Sequence, residues 1–330
     1  MQVPSFIPFW KMQPVEHVLG ISAVCLLYMP DALEVNLNLR RGGVETYVYC
    51  AAYLHLSLER AGIPLTVVTN NRDAVIASCP QIAAANVVNY DFSLDVPTDV
   101  AFRSAHHKLE ILKYIGESFE HGRYMILDVD VVCVDPRLGR RIAAAIEANE
   151  ACGYDIGDQV FAAYGRERVE GDIRALSGGQ TAIWFGGEFL VGTPAFYREL
   201  SDYVAKIWPD YVARRESLHH QGDEAVVSAA LCEMIDDGHR IATLSSENVI
   251  VRWWNTPTLH RPIGLLRACR AGLMHLPSDK DFISVCLKAR LPPALFAPCY
   301  AIYAAALMPV QLLRSKFGKK AGTKFAPRLM

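Results

Sequence analysis

Residues 123–136, Arg-Tyr-Met-Ile-Leu-Asp-Val-Asp-Val-Val-Cys-Val-Asp-Pro, decide the reading of this chain. YMILDVDVV (124–132) reads as a strongly β-prone strand, with Tyr124 to Leu127 apolar and Asp128-Val129-Asp130 closing it. Side chains alternate along a strand, so Asp128 and Asp130 share a face, and where strand gives way to loop both carboxylates reach a common point. Two hard oxygen donors at that spacing suit Mg²⁺ or Mn²⁺, which take few protein carboxylates and keep positions for phosphate oxygens. A lone Asp-x-Asp also occurs in solvated turns. The setting therefore decides.

Working toward the amino terminus, ISAVCLLYMP (21–30) reads as a first strand, followed by a helix over 44–62 that Gly62 and Pro64 stop. LTVVTN (65–70) and ANVVNY (85–90) are the next strands, and AHHKLEILKYIGE (105–117) has helical spacing of its apolar residues. Strands alternating with crossover helices predict an α/β fold with a mostly parallel central sheet flanked by helices, whose ligands sit at the carboxyl ends of the strands. The Asp-x-Asp falls at such an end. Beyond it come a Gly-rich segment, SGGQTAIWFGGEFLVGTP (177–194), helices over 196–215 and 223–238, a short strand near HRIATL and a WWNTP turn. No repeat or low-complexity linker interrupts them.

With 330 residues, 52% of them hydrophobic, the chain buries a substantial core. The formal net charge of -2 gives no global reason to expect nucleic acid. Nine scattered cysteines without a CxxC pair support neither a disulfide framework nor a cysteine zinc site and predict a reducing, cytosolic compartment. The first residues, MQVPSFIPFWKMQP, lack a basic stretch followed by an uninterrupted apolar one, so no secretory signal is read there.

The carboxyl-terminal end has its own pattern. No charged residue stands between Arg290 and Arg314, and Lys316, Lys319, Lys320, Lys324 and Arg328 follow. About 20 apolar residues suffice to span a bilayer, but Pro292, Pro293, Pro298 and Pro309 argue against one straight spanning helix. An interfacial helix with a basic flank on anionic lipid fits better. Residues 289–330 are thus expected to form an amphipathic, basic, membrane-associating tail, with a packing helix ending in solvated lysines as the plainer alternative.

In order along the chain, AFRSAHHKLEILKY, YMILDVDVVCVDP, IWFGGEFLVGTPAFY, HHQGDEAVVSAAL and HLPSDK resemble the motifs of GT-A glycosyltransferases and are most similar to family 8-like retaining enzymes. The match spans roughly residues 20–285. It implies a GT-A catalytic domain over 1–288, with a donor-binding half at about 20–135 and an acceptor half at about 136–288. It also implies a Mn²⁺ or Mg²⁺ cofactor, a UDP-sugar as donor, and a glycan or lipid-linked acceptor. By the same resemblance His275 is the third protein ligand of the cation beside Asp128 and Asp130, and Lys280 contacts the donor phosphates. The usual pattern has a Gly between that His and Lys and one more residue of spacing, whereas this chain reads His-Leu-Pro-Ser-Asp-Lys.

Arg103 and Lys108 lie where related enzymes place basic groups near the donor, or on a solvated helix face. His106 and His107, being adjacent, point apart on a helix and make no i,i+4 metal pair. Gly186-Gly187 leave room for a sugar ring against the backbone, and Glu188 is a candidate for acceptor hydroxyls or for the face opposite the leaving group. Asp223 and Glu224 head a helix, where capping and the dipole favour carboxylates anyway; the resemblance assigns them to sugar hydroxyls or acceptor deprotonation. Tyr28 is placed to stack on the base, with Asn70 near the ribose.

The expected function is transfer of a hexose from a UDP-sugar at the inner face of a membrane, in surface polysaccharide or lipopolysaccharide synthesis, retaining rather than inverting. A sugar-phosphate nucleotidyltransferase would carry a Gly-rich basic loop after the first strand, which MPDALEVN lacks. A non-catalytic membrane-bound glycan-binding protein would need no metal. Neither GxxxxGK[ST] nor GxGxxG follows a strand, which sets aside Walker NTPases and Rossmann dehydrogenases.

Overall fold

A computed structural model describes residues 20–29, 43–100, 102–244, 248–255 and 263–318, except for the side chains of 144 and 308–318. Ten strands are defined: β1 (Ile21–Leu26), β2 (Leu65–Thr69), β3 (Asn86–Asn89), β4 (Arg123–Leu127), β5 (Val131–Cys133), β6 (Ala151–Asp155), β7 (Phe185–Gly192), β8 (Ile241–Thr243), β9 (Ile250–Arg252) and β10 (Leu273–His275). Seven form the central sheet in the order β3-β2-β1-β4-β7-β6-β8, and β5-β10-β9 form a second, small sheet. Within the large sheet only β7 runs against its neighbours. The expected mostly parallel α/β sheet is present.

The 124–132 run does not continue as one strand. β4 stops at Leu127, the chain turns through Asp128-Val129-Asp130 with Val131 N donating to Asp128 O at 3.2 Å, and β5 leaves for the other sheet. Val129 and Val131 are both buried, so the apolar residues that suggested a continuous strand serve two sheets instead. The first strand likewise ends at Leu26, earlier than 21–30, and residue 30 of that reading lies outside the described residues. The predicted helix over 44–62 runs Glu45–Glu59, and the chain then passes through Gly62 at φ +68°, a conformation that costs glycine least. The 105–117 helix splits into a 3-10 turn, Arg103–His107, and an α-helix, Lys108–Ser118.

The opposed direction of β7 is what assembles the site. Its register against β4 pairs Phe189 with Leu127, so its first residues, Phe185 to Glu188, stand at the carboxyl end of β4. β10 pairs antiparallel with β5 and sets His275 opposite Val131, one residue past the Asp-x-Asp. Helices begin at the same end with Lys108 and with Asp223 (Asp223–Asp236).

The Lys108–Ser118 helix packs closely on the long helix Pro194–Arg214. At Gly116 an added Cβ would lie 2.8 Å from both the N and Cα of Arg198. Backbone does not yield as a flexible side chain does, so Gly116→Ala should cost roughly 1–3 kcal/mol. Urea denaturation with an unchanged slope is the check.

The final helix, Phe296–Gly318, is continuous through Pro298 and Pro309. Pro298 falls in the first turn, where N–H groups have no helical partner to lose. Phe296, Tyr300 and Ala304, four residues apart, are buried as one face against the body of the protein, while Ile302 is 72% exposed. Tyr300 and Tyr303 donate to the carboxylate of Asp279 at 2.8 and 3.4 Å. Among the described residues no helix is long and apolar enough to cross a membrane. Lys319, Lys320, Lys324 and Arg328 lie outside the described residues.

Candidate functional site

At the carboxyl end of β4 three side chains converge. Single ligand atoms of Asp128, Asp130 and His275 all lie within 4.8 Å of one another. His275 Nε2 is 3.2 Å from Asp130 Oδ1 and 3.7 Å from Asp128 Oδ2. Neighbouring ligands of an octahedral ion with bonds of about 2.1 Å stand about 3 Å apart, so a small contraction would close the set on Mg²⁺ or Mn²⁺. Asp130 and His275 are buried and Asp128 is half-buried, leaving one side open for further ligands.

Two ammonium groups flank the trio. Lys280 Nζ lies 2.6 Å from Asp130 Oδ2 and donates to Pro277 O at 2.9 Å. Lys108 Nζ lies 2.6 Å from Asp128 Oδ1 and 3.0 Å from Asp223 Oδ2, and donates to Gly187 O at 3.0 Å. Burial alone would discharge Lys108, but Asp128 and Asp223 outweigh it and hold the ammonium charged well above its ordinary range. Burial likewise opposes charge on Asp130, yet Lys280 and His275 keep its carboxyl far below the usual carboxylate value. Asp128 moves the other way, raised by burial that Lys108 and His275 do not fully offset. Despite burial, His275 is pushed up to about 9 by Asp130 and Glu188. A cation would take the place of that proton, since imidazole ligates in its neutral form.

Beneath this layer is a second charged group. Glu188 is fully buried and accepts from Arg252 Nε at 2.8 Å, while one Arg252 amino group also meets both Glu188 Oε2 and Glu224 Oε1. Trp184 Nε1 donates to Glu224 Oε2 at 3.1 Å. Burial would raise Glu188, but Arg252 and His275 hold it well below the carboxylate range; for Glu224 burial is again outweighed, chiefly by Arg252. Gly187 is enclosed by the same residues: an added Cβ would lie 2.9 Å from Asp223 Oδ2 and from Glu224 Cγ.

The fold thus brings together Asp128, Asp130, His275, Lys280, Lys108, Asp223, Glu224 and Glu188 of the residues singled out in the sequence. Three others are elsewhere. Arg103 Nε donates to Val96 O at 3.2 Å, tying down a loop. Asn70 bonds the backbone of Met29 in both directions, at 2.7 and 3.0 Å, and so joins the ends of β1 and β2. Tyr28 stacks on His107 with centroids 4.4 Å apart. His106 and His107 are engaged by Tyr211 Oη at 2.7 Å and Glu110 Oε2 at 2.9 Å, away from the trio, as their adjacency predicts. Arg252 was missed. Its signal was a lone charge within the apolar run Val249-Ile-Val-Arg-Trp-Trp254, since a buried guanidinium requires a partner.

No protein-family model matches the chain, and no curated protein matches its sequence. Its three-dimensional form is similar to solved glycosyltransferases. The galactosyltransferase LgtC, crystallised with donor and acceptor sugar analogs, superposes with a TM-score of 0.51 at 11% identity, covering 80% of this chain and 95% of that one. The bifunctional glycosyltransferase WbbM, in its apo form, superposes with a TM-score of 0.50 at 11% identity, covering 80% of this chain and 46% of that one. At such identity the likeness is one of fold, and the chain has the α/β architecture of GT-A glycosyltransferases.

Proposed function

We propose that this protein is a metal-dependent glycosyltransferase that moves a hexose from a nucleotide-diphosphate sugar, with UDP as the nucleotide, to a glycan or lipid-linked acceptor. The observation that carries this reading is the convergence of Asp128, Asp130 and His275 at the sheet end, between the ammonium groups of Lys108 and Lys280. Asp128, Asp130 and His275 would hold Mn²⁺ or Mg²⁺, which neutralises charge on a departing diphosphate. Lys108 and Lys280 add fixed positive charge beside that diphosphate in a poorly solvated setting. Tyr28 and Asn70 stand at the carboxyl ends of β1 and β2, where a base and ribose would lie.

The ion pairs bear on stereochemistry. Inversion needs a carboxylate free to take the acceptor proton. Asp223 is tied to Lys108, and Glu224 to Arg252 and Trp184, so neither carboxylate stands free beside an acceptor hydroxyl in this arrangement. That favours retention, in which the leaving phosphate accepts the proton and Asp223 and Glu224 orient sugar hydroxyls. Glycan or lipopolysaccharide synthesis at the inner face of a membrane suits the tail, in which apolar Leu295 and Ile302 are exposed and whose sequence continues into a run rich in lysine and arginine. Residues 289–330 then act as the membrane-associating segment of a catalytic domain over 1–288.

Calorimetry with UDP and a small panel of UDP-sugars, in Mn²⁺ or in EDTA, tests this reading. Binding is expected in Mn²⁺, with Kd weakened at least about 100-fold by EDTA or by Asp130→Ala, the size of a lost cation–diphosphate contact. If neither UDP nor any UDP-sugar binds in Mn²⁺, the UDP assignment fails.

A further inference from the structure

Glu188 has a role that the sugar chemistry leaves unexplained. It is a carboxylate with no exposure at all, in the middle of an otherwise apolar strand. Its Oε1 lies 3.1 Å from His275 Nδ1, on the side of the ring away from Asp128 and Asp130. Nδ1 is itself buried, and among the described residues Glu188 is the partner it faces. Arg252 occupies both oxygens of Glu188 from the far side and thereby fixes where the carboxylate points.

A neutral imidazole carries one proton, and only the other nitrogen has a lone pair for a metal. Of the two tautomers, the one with the proton on Nδ1 faces Glu188 with a donor and the acid pair with a lone pair. The reverse would set a lone pair against a buried carboxylate. A ligating histidine whose other N–H meets a carboxylate is oriented and made more basic by it, and loss of such a partner typically costs 10–100-fold in metal affinity.

Resting on the metal-site reading above, we propose that Glu188 is a positioning residue for the cation. It fixes His275 in the Nδ1–H tautomer with Nε2 turned to the metal, and Arg252 holds Glu188 in place for that task. Glu188 does not touch donor or acceptor. The same guanidinium grips Glu224, so one side chain sets both the metal ligand and the carboxylate beside the sugar.

The test measures Mn²⁺ affinity by calorimetry without nucleotide, together with the visible spectrum of the Co²⁺-loaded protein, which senses whether imidazole nitrogen is in the coordination shell. The variants are Glu188→Gln, which keeps an acceptor of the same shape, and the double variant Glu188→Met with Arg252→Met, which removes both buried charges together and should therefore fold. The double variant is expected to bind Mn²⁺ 10–100-fold more weakly and to lose the imidazole signature, while Glu188→Gln recovers most of both. Mn²⁺ affinity within threefold of wild type and an unchanged Co²⁺ spectrum in the double variant would overturn the proposal. If the double variant does not fold, Glu188→Met alone is read against Glu188→Gln, with equal affinities overturning it. Wild-type protein that binds no Mn²⁺ fails the metal-site reading itself, a result distinct from binding that is indifferent to Glu188.

Discussion

Asp130→Asn is expected to reduce sugar transfer by about three orders of magnitude or more while leaving the fold intact. The carboxylate is one of three candidate ligands and lies 2.6 Å from Lys280 and 3.2 Å from His275. Asparagine keeps the shape and one carbonyl oxygen but removes the charge that a hard divalent ion needs. Lewis-acid stabilisation of a leaving diphosphate is worth several kcal/mol, and each 1.36 kcal/mol is about tenfold in rate. The substitution also leaves the Lys280 ammonium with the Pro277 carbonyl and a neutral amide in place of an ion pair. Mn²⁺ titrations and turnover with a UDP-sugar, alongside a melting curve, separate the two effects. Near wild-type transfer in Asp130→Asn, with metal present, would remove Asp130 from the ligand set.

Arg252→Met should have the largest effect on stability. Arg252 is the common partner of Glu188 and Glu224, and Glu188 is wholly enclosed. Removing one member of a buried charge group strands the other, at a cost of about 3–5 kcal/mol. Replacing both by apolar residues is often neutral, because the desolvation of both charges disappears with their attraction. Chemical denaturation should therefore show a large loss for Arg252→Met and recovery of most of it on adding Glu188→Met. A loss below about 1 kcal/mol for Arg252→Met would mean that Glu188 finds other compensation, as a reoriented His275 would provide.

How much of this was legible beforehand depended on the range of the interactions. The αβ alternation and the Asp-x-Asp at a sheet end are local patterns, and both are where the sequence reading set them. His275 was legible through the order of motifs, since it lies 145 positions after Asp130 and the β5–β10 pairing brings the two together. The break between β4 and β5 was not, because Val129, Val131 and Val132 satisfy a continuous strand as well as a turn between two sheets. The reversed direction of β7 was hidden too: alternation fixes which faces are apolar, not which way a strand runs. Arg252 escaped for a related reason. A lone charge in an apolar run announces that it is paired, but not with what, and its partners lie 28 and 64 residues away along the chain.

The buried Asp279 ties the carboxyl-terminal helix to the charged cluster at the end of β4. Its carboxylate takes hydroxyls from Tyr300 and Tyr303, and its immediate neighbour in the chain is Lys280, whose ammonium reaches Asp130. A protein trimmed at Lys288 for easier handling would leave Asp279 with Asn255 and Ser278 alone among these partners. The helix is therefore a strut: a load on its outward face reaches, through Asp279, the ammonium that sits against Asp130.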